Sequence, residues 1–136
     1  MKIMLDEGAI LPTRAHPWDA GLDLYAMESG FVFADSRHTF DTGVHVQIPE
    51  NCVGFIKSKS GLMVRHGILT DGTIDCGYTG SIRVCLFNRS ENDLYVQAGY
   101  KIAQLVIVPC LLPELELVDK LEETDRGDGG FGSTGR

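Results

Sequence analysis

The residues best suited to chemistry fall in four short segments of a 136-residue chain. At the C-terminal end, Arg126, Phe131, Ser133 and Thr134 stand among five glycines that include Gly132. Glycines let successive backbone N–H groups converge on an anion, and hydroxyls add donors. A phenyl ring can stack on another ring, and an arginine can grip a terminal phosphate. No Gly-Lys-Ser or Gly-Lys-Thr triplet occurs, so this is not a Walker-type loop. Ser58, Lys59 and Ser60 bring two hydroxyls and an ammonium to the start of a short apolar run, where a helix N-terminus would add unpaired N–H groups. Between Thr70 and Gly80, glycines flank Asp75 and Tyr78 just ahead of an apolar strand. A hairpin there would read a flat polar base with its backbone while Asp75 faces a water. Asp23 lies among small and apolar residues between Asp19 and Ala26. Each segment alone has a plainer reading: a disordered tail, a simple helix cap, a tight turn, an Asx-type backbone contact.

The elements that must hold these segments read as strands. Val44, Val46 and Ile48 alternate with His45 and Gln47, and Ile82, Val84 and Leu86 share one face. Leu94 to Val96 predicts a short strand, and Ile102 to Val108 a strand buried on both faces. Pro49 to Asn51, Thr70 to Gly72, Arg89 to Asp93 and Ala98-Gly99 read as hairpin turns. One helix of about two turns is expected after Ser60 as cap, closed by Gly67. Several short strands with such punctuation predict an all-β sandwich or barrel. From Glu122 onward no strand or helix pattern remains, and a flexible tail is expected.

Composition narrows the partners. Twelve Lys and Arg against nineteen Asp and Glu give a net charge of −7, and no basic cluster is present. Binding to a nucleic-acid polymer draws most of its strength from basic side chains, so that role is disfavoured. A small phosphorylated ligand fits if local donors or a cation offset the repulsion. Cys52, Cys76, Cys85 and Cys110 form no Cys-x-x-Cys pair, which predicts buried free thiols rather than disulfides or zinc. No run reaches membrane-span length, and a soluble, cytoplasmic protein is expected.

In order along the chain, these segments resemble the five motifs of the trimeric dUTPase family. The first is carried by Ala20-Gly21-Leu22-Asp23-Leu24, the second by Ser60-Gly61-Leu62. The third is carried by Gly72-Thr73-Ile74-Asp75 through Tyr78-Thr79-Gly80, the fourth by Gly99 to Leu105, the fifth by Arg126 with Gly130 to Gly135. The resemblance implies a jelly-roll-like distorted β-barrel over residues 1–121, with a tail, 122–136, that closes an active site. It implies a homotrimer with sites between subunits, and Mg²⁺-dependent hydrolysis of dUTP to dUMP and pyrophosphate. That reaction keeps uracil out of DNA and supplies dUMP for dTMP synthesis. By the same resemblance, Asp75 holds and activates the attacking water, with Gln104 near it. Tyr78 packs on the deoxyribose, and backbone from Gly72, Thr73 and Ile74 to Tyr78 reads uracil. Ser58, Lys59, Ser60, Gly61 and Gln104 meet phosphate oxygens, and Asp23 supports magnesium through water. Arg126, Gly132, Ser133 and Thr134 hold outer phosphates, and Phe131 covers the base. Lys59 stands where the family commonly has arginine, and Gly77 where it commonly has an acid. A dCTP deaminase shares this fold, but its deaminating glutamate has no counterpart in Gly80-Ser81-Ile82-Arg83-Val84. A regulatory module that retains the fold and signals through protein partners is a second alternative, and a bare structural jelly roll, which would not need the Phe131 tail, a third.

Overall fold

Alternation in the sequence becomes alternation in burial. The structure, a computed structural model, describes residues 1–130. In it Val44, Val46 and Ile48 are buried, Gln47 is exposed and His45 half-buried. The strands in chain order are β1 (Lys2–Leu5), β2 (Gly21–Tyr25), β3 (Gly30–Val32), β4 (Arg37–Asp41), β5 (Val44–Gln47) and β6 (Cys52–Lys57). After the helix α1 (Ser60–His66) come β7 (Ile68–Leu69), β8 (Asp71–Ile74), β9 (Arg83–Asn88), β10 (Leu94–Val96) and β11 (Lys101–Pro109).

These strands form antiparallel sheets in the orders β2-β11-β6-β8, β4-β9-β7, β1-β5 and β10-β3. They are small sheets wrapped about one core, the all-β, jelly-roll-like arrangement expected, with no fully closed barrel among the described residues. Every pairing joins strands that are not consecutive in the chain. The turns at Pro49 to Asn51, Arg89 to Asp93 and Ala98-Gly99 therefore carry the chain between sheets and close no hairpin. Asp71 and Gly72 are not a turn at all, since they begin β8. Residues such as these reverse the backbone, but partner choice is made by burial across the core, which local signals do not encode.

The core joins the sheets. Leu24, Phe40, Ile68, Ile82, Leu86, Ile102 and Leu105 are almost wholly buried in one cluster. Each contributes about 1.5–3 kcal/mol relative to remaining exposed. Asn88 is buried among them without loss, donating to the Val32 and Asn92 carbonyls and accepting from Ser90. β11 is less covered than expected: Val106 and Ile107 are half-buried and Val108 is exposed, because the core is thickest near its start. The four cysteines are free and half-buried. Lys59, not Ser60, is the residue before the helix, in an extended conformation and without a side-chain cap bond. Gly67 ends the helix at φ +64°, where its N–H donates to the Leu62 and Met63 carbonyls, as expected for a left-handed cap.

Candidate active site

The pairing of β2 with β11 sets Asp23 opposite Gln104. Asp23 is buried, and its carboxylate accepts from Lys59 and, at 2.7 Å, from Lys101 Nζ. Burial alone would raise its pKa, but the two ammonium groups outweigh that and hold the carboxyl below its ordinary value. Gln104 Nε2 donates to the Ser58 carbonyl at 3.3 Å. A Cβ at Gly21 would lie 2.1 Å from Gln104 Oε1, so only glycine leaves the carboxamide its place. Gly21, Asp23, Lys59 and Gln104, with Ala15, Asp19 and Ala20, line a cavity of ≈ 430 Å³. Asp19 shapes its rim, accepting from the His16 N–H at 2.9 Å while its carbonyl accepts from Arg14 Nε at 2.8 Å.

The second motif behaves unevenly. Ser58 was expected at a phosphate, yet its hydroxyl donates to the Thr70 carbonyl at 2.9 Å and accepts from the Thr70 N–H at 2.8 Å. It ties the end of β6 to the start of β8. Ser60 is exposed, and Gly61 has no atom within 4 Å of an added Cβ and no positive φ. Nothing inside the chain requires a glycine at 61, which is the pattern where backbone must be approached from outside.

The third motif lies on a sheet edge. Gly72, Thr73 and Ile74 sit on β8, which pairs with β6 on one side alone. Its outer row of N–H and C=O groups is unpaired within the sheet and suits the hydrogen-bonding edge of a base. The expected hairpin is instead a loop from Asp75 into β9 of the neighbouring sheet. Asp75 is exposed, and its carbonyl accepts from the Tyr78 N–H at 3.0 Å. The Tyr78 hydroxyl donates to the Ser81 carbonyl at 2.9 Å, and its ring lies where a Cβ on Gly80 would stand. Thr73, Ile74, Asp75, Tyr78 and Arg83 line a second cavity of ≈ 190 Å³.

One chain does not bring the two cavities together. Gln104 faces Lys57 on β6, and Lys57 faces Asp71 on β8, four residues short of Asp75. Two strand spacings across and four residues along separate Gln104 from Asp75 by about 16 Å. Arg126 is apart from both, its Nε donating to the Gly129 carbonyl at 2.9 Å within a local turn. Phe131, Gly132, Ser133 and Thr134 lie outside the described residues. Lys101 and Arg83 were not singled out from sequence, since their relevance depends on register: Lys101 through Asp23, Arg83 through its place beside Asp75 and Tyr78. Lys101 lies inside the fourth motif, which was the available signal.

A strand edge with free backbone groups and a cavity lined by a lysine, on one all-β fold, suit a nucleoside polyphosphate. The dUTPase family model matches residues 7–135. The deoxyuridine 5'-triphosphate nucleotidohydrolase of Clostridium novyi (strain NT) is 43% identical over 99% of both chains. That of Gloeothece citriformis is 44% identical over 96% of this chain and 92% of its own. A Staphylococcus bacteriophage 80alpha dUTPase mutant, solved with dUpNHpp, superposes with a TM-score of 0.92 at 29% identity, covering 99% of this chain and 98% of that one. A phage phi11 mutant dUTPase described with a structural Mg(II) ion gives 0.82 at 29% identity, over 90% and 98%. The chain belongs to the dUTPase family, and its jelly-roll-like β fold is that of the solved members.

Proposed function

We propose that this dUTPase turns over its substrate at sites shared between the subunits of a homotrimer. The reaction is hydrolysis of dUTP to dUMP and pyrophosphate. One subunit contributes the β8 edge, Asp75 and Tyr78; another contributes the cavity of Asp23, Lys59 and Gln104; a neighbour's residues 122–136 close over both. The observation that carries this reading is the strand register, in which Gln104 faces Lys57 and Lys57 faces Asp71, so that ideal strand geometry puts Gln104 about 16 Å from Asp75 within one chain. Residues that must act on one phosphate within hydrogen-bond reach cannot do so across that distance.

In this arrangement backbone groups of Gly72, Thr73 and Ile74 hold uracil, and Tyr78 packs on the deoxyribose where a 2′-hydroxyl would stand. Asp75 orients a water and takes its proton as the water oxygen bonds to the α-phosphorus. The bond from that phosphorus to the bridging oxygen breaks, and pyrophosphate leaves. Gln104 and the backbone of Ser60 and Gly61 hold phosphate oxygens, and Lys59 offsets their charge. Ser58 serves indirectly, since its carbonyl holds Gln104 and its hydroxyl holds Thr70. Arg126, Gly132, Ser133 and Thr134 take the outer phosphates, and Phe131 covers the base.

The residues present fit a magnesium ion carried by the substrate. No group of three potential ligands occurs among the described residues, and one buried carboxylate, Asp23, borders the phosphate cavity. With both its oxygens engaged by lysines, Asp23 suits contact through the ion's water shell. When bound, the ion supplies charge neutralisation to the triphosphate. Among the described residues no helix is long and apolar enough to cross a membrane. A free nucleotide as substrate supports a cytoplasmic site of action, which belongs to the same proposal.

Subunit mixing tests the shared site. Asp75→Asn and Gln104→Ala proteins are each expected to be nearly inactive on dUTP. Unfolded and refolded together in equal amounts, they should regain about one quarter of wild-type activity, because random assembly restores that share of two-chain sites. No recovery would place both residues on one chain's site and overturn the reading. Pyrophosphate release from dUTP, UTP, dCTP and dTTP, with and without Mg²⁺, tests the substrate; ammonia release from dCTP would make the protein a deaminase.

A further inference from the structure

The loop that carries Tyr78 is anchored to the rest of the fold from an unexpected quarter. Its bonds from Tyr78 run to Asp75 and Ser81, within the loop or at its end. Among the described residues, two hydrogen bonds tie the stretch from Asp75 to Gly80 to another element: Cys76 Sγ, a weak donor, to the Ile48 carbonyl, and His45 Nδ1 to the Thr79 carbonyl at 2.8 Å. His45 lies on β5 opposite Met4 of β1, half-buried. Its other nitrogen, Nε2, is sealed from solvent and stands 3.2 Å from Asp6 Oδ1 in an ion-pair contact, with no aligned hydrogen bond.

Both partners are acceptors. A neutral imidazole has one N–H, so either tautomer turns a lone pair against an oxygen that already carries negative charge. The imidazolium alone suits both, with a bond donated to the Thr79 carbonyl and an ion pair to Asp6. The surrounding charges favour it. Asp6 begins the turn after β1, and Asp41 at the end of β4 adds a second negative field, although Ser81, Gly43 N–H and Arg83 already engage Asp41. Lys2, from β1, lines the same cavity as His45 and opposes it. The net effect, led by the Thr79 carbonyl and then Asp6, raises the His45 pKa above its ordinary 6.5.

We propose that His45 is a positioning and specificity-determining residue, which as an imidazolium staples the Thr79 carbonyl to Asp6 and thereby fixes the angle of Tyr78 against the sugar. This rests on the reading of Tyr78 as the residue that excludes a 2′-hydroxyl. The sign follows from the raised pKa. The staple is complete below pH 6.5 and is lost as pH rises through the higher folded value. Rejection of UTP should weaken over that interval.

The test is the ratio of kcat/KM for dUTP over UTP, measured from pH 6 to 9 on the full chain, with the His45 ring followed by NMR. In wild type the ratio should fall as the ring loses its proton. His45→Ala should lower the ratio on the order of tenfold at every pH, with thermal stability little changed. His45→Asn places an amide donor where Nδ1 stood and should restore most of the ratio without pH dependence. Asp6→Asn offers Nε2 a donor, so the neutral ring keeps its bond to Thr79; its ratio should be high and flat, and its ring pKa lower. A wild-type ratio independent of pH, together with an unchanged ratio in His45→Ala, overturns the proposal. So does failure of His45→Asn to rescue, which would make the effect purely structural. Tyr78→Ala separates the two readings. If it relaxes UTP rejection while His45→Ala does not, the staple fails alone; if it does not, the sugar-excluding role of Tyr78 fails first.

Discussion

Gly21 and Gln104 act as one unit, because the carboxamide occupies the space that any side chain at 21 would need. Gly21→Ala should displace Gln104 and lower kcat by about 10²-fold, the cost of a small misplacement at a reacting centre. Pyrophosphate release measures it, with a thermal melt to confirm that the sheet survives; an unchanged kcat would remove Gln104 from the phosphate. At this scale the sequence was legible where a motif carried the residue. Ser60 and Gly61 open the helix, Gln104 lines the cavity beside Asp23, and Asp75 and Tyr78 share a loop in place of the expected hairpin. Lys101 and His45 were not legible. Each meets its partner across a strand pairing or a loop contact, Lys101 with Asp23 and His45 with Thr79, and no local pattern encodes such meetings. Ser58 was legible as polar and conveniently placed, but not as engaged, since that depends on β8 beginning at Asp71 and holding Thr70 beside it.

Elements were read better as segments than as partners. The strands around Val44, Val84, Leu94 and Ile102, and the helix ended by Gly67, emerge close to where alternation and punctuation put them. Their assembly does not: the chain visits another sheet after nearly every turn, so the supposed hairpin at Gly72 to Tyr78 is a strand edge followed by a crossing loop. That difference matters to the proposed uracil site, because a hairpin would have paired backbone groups that a free edge leaves open. The tail belongs to this scale as well. Arg126 bonds to Gly129 and to no strand among the described residues. Removal of residues 126–136 should therefore reduce kcat/KM for dUTP by about 10²-fold or more, as loss of transition-state donors does. The melting temperature should move by less than about 2 °C, the shift of a small stability change. Equal damage to both would make the tail part of the scaffold.

The whole molecule carries a net charge of −7 and yet handles a polyanion. Concentrating Lys59 and Lys101 on one buried carboxylate answers this locally and leaves the remaining surface acidic. Beyond β11 the chain presents Leu111, Leu112, Leu115, Leu117 and Leu121, at 92%, 74%, 96%, 100% and 80% exposure. Leucines left bare at this density mark an interaction surface, and in the proposed trimer a neighbouring subunit would cover them. The melting temperature should accordingly climb with protein concentration, by mass action, across a hundredfold dilution series read by calorimetry. A midpoint independent of concentration would mean that the row of leucines folds back on its own chain. The ribbon also bears on the first moments after synthesis. If the proposed trimer is the working form, a lone polypeptide with five bare leucines would be sticky until it met its own kind. Working enzyme would then accrue more steeply than the polypeptide itself, and a cell making too little would gain almost none.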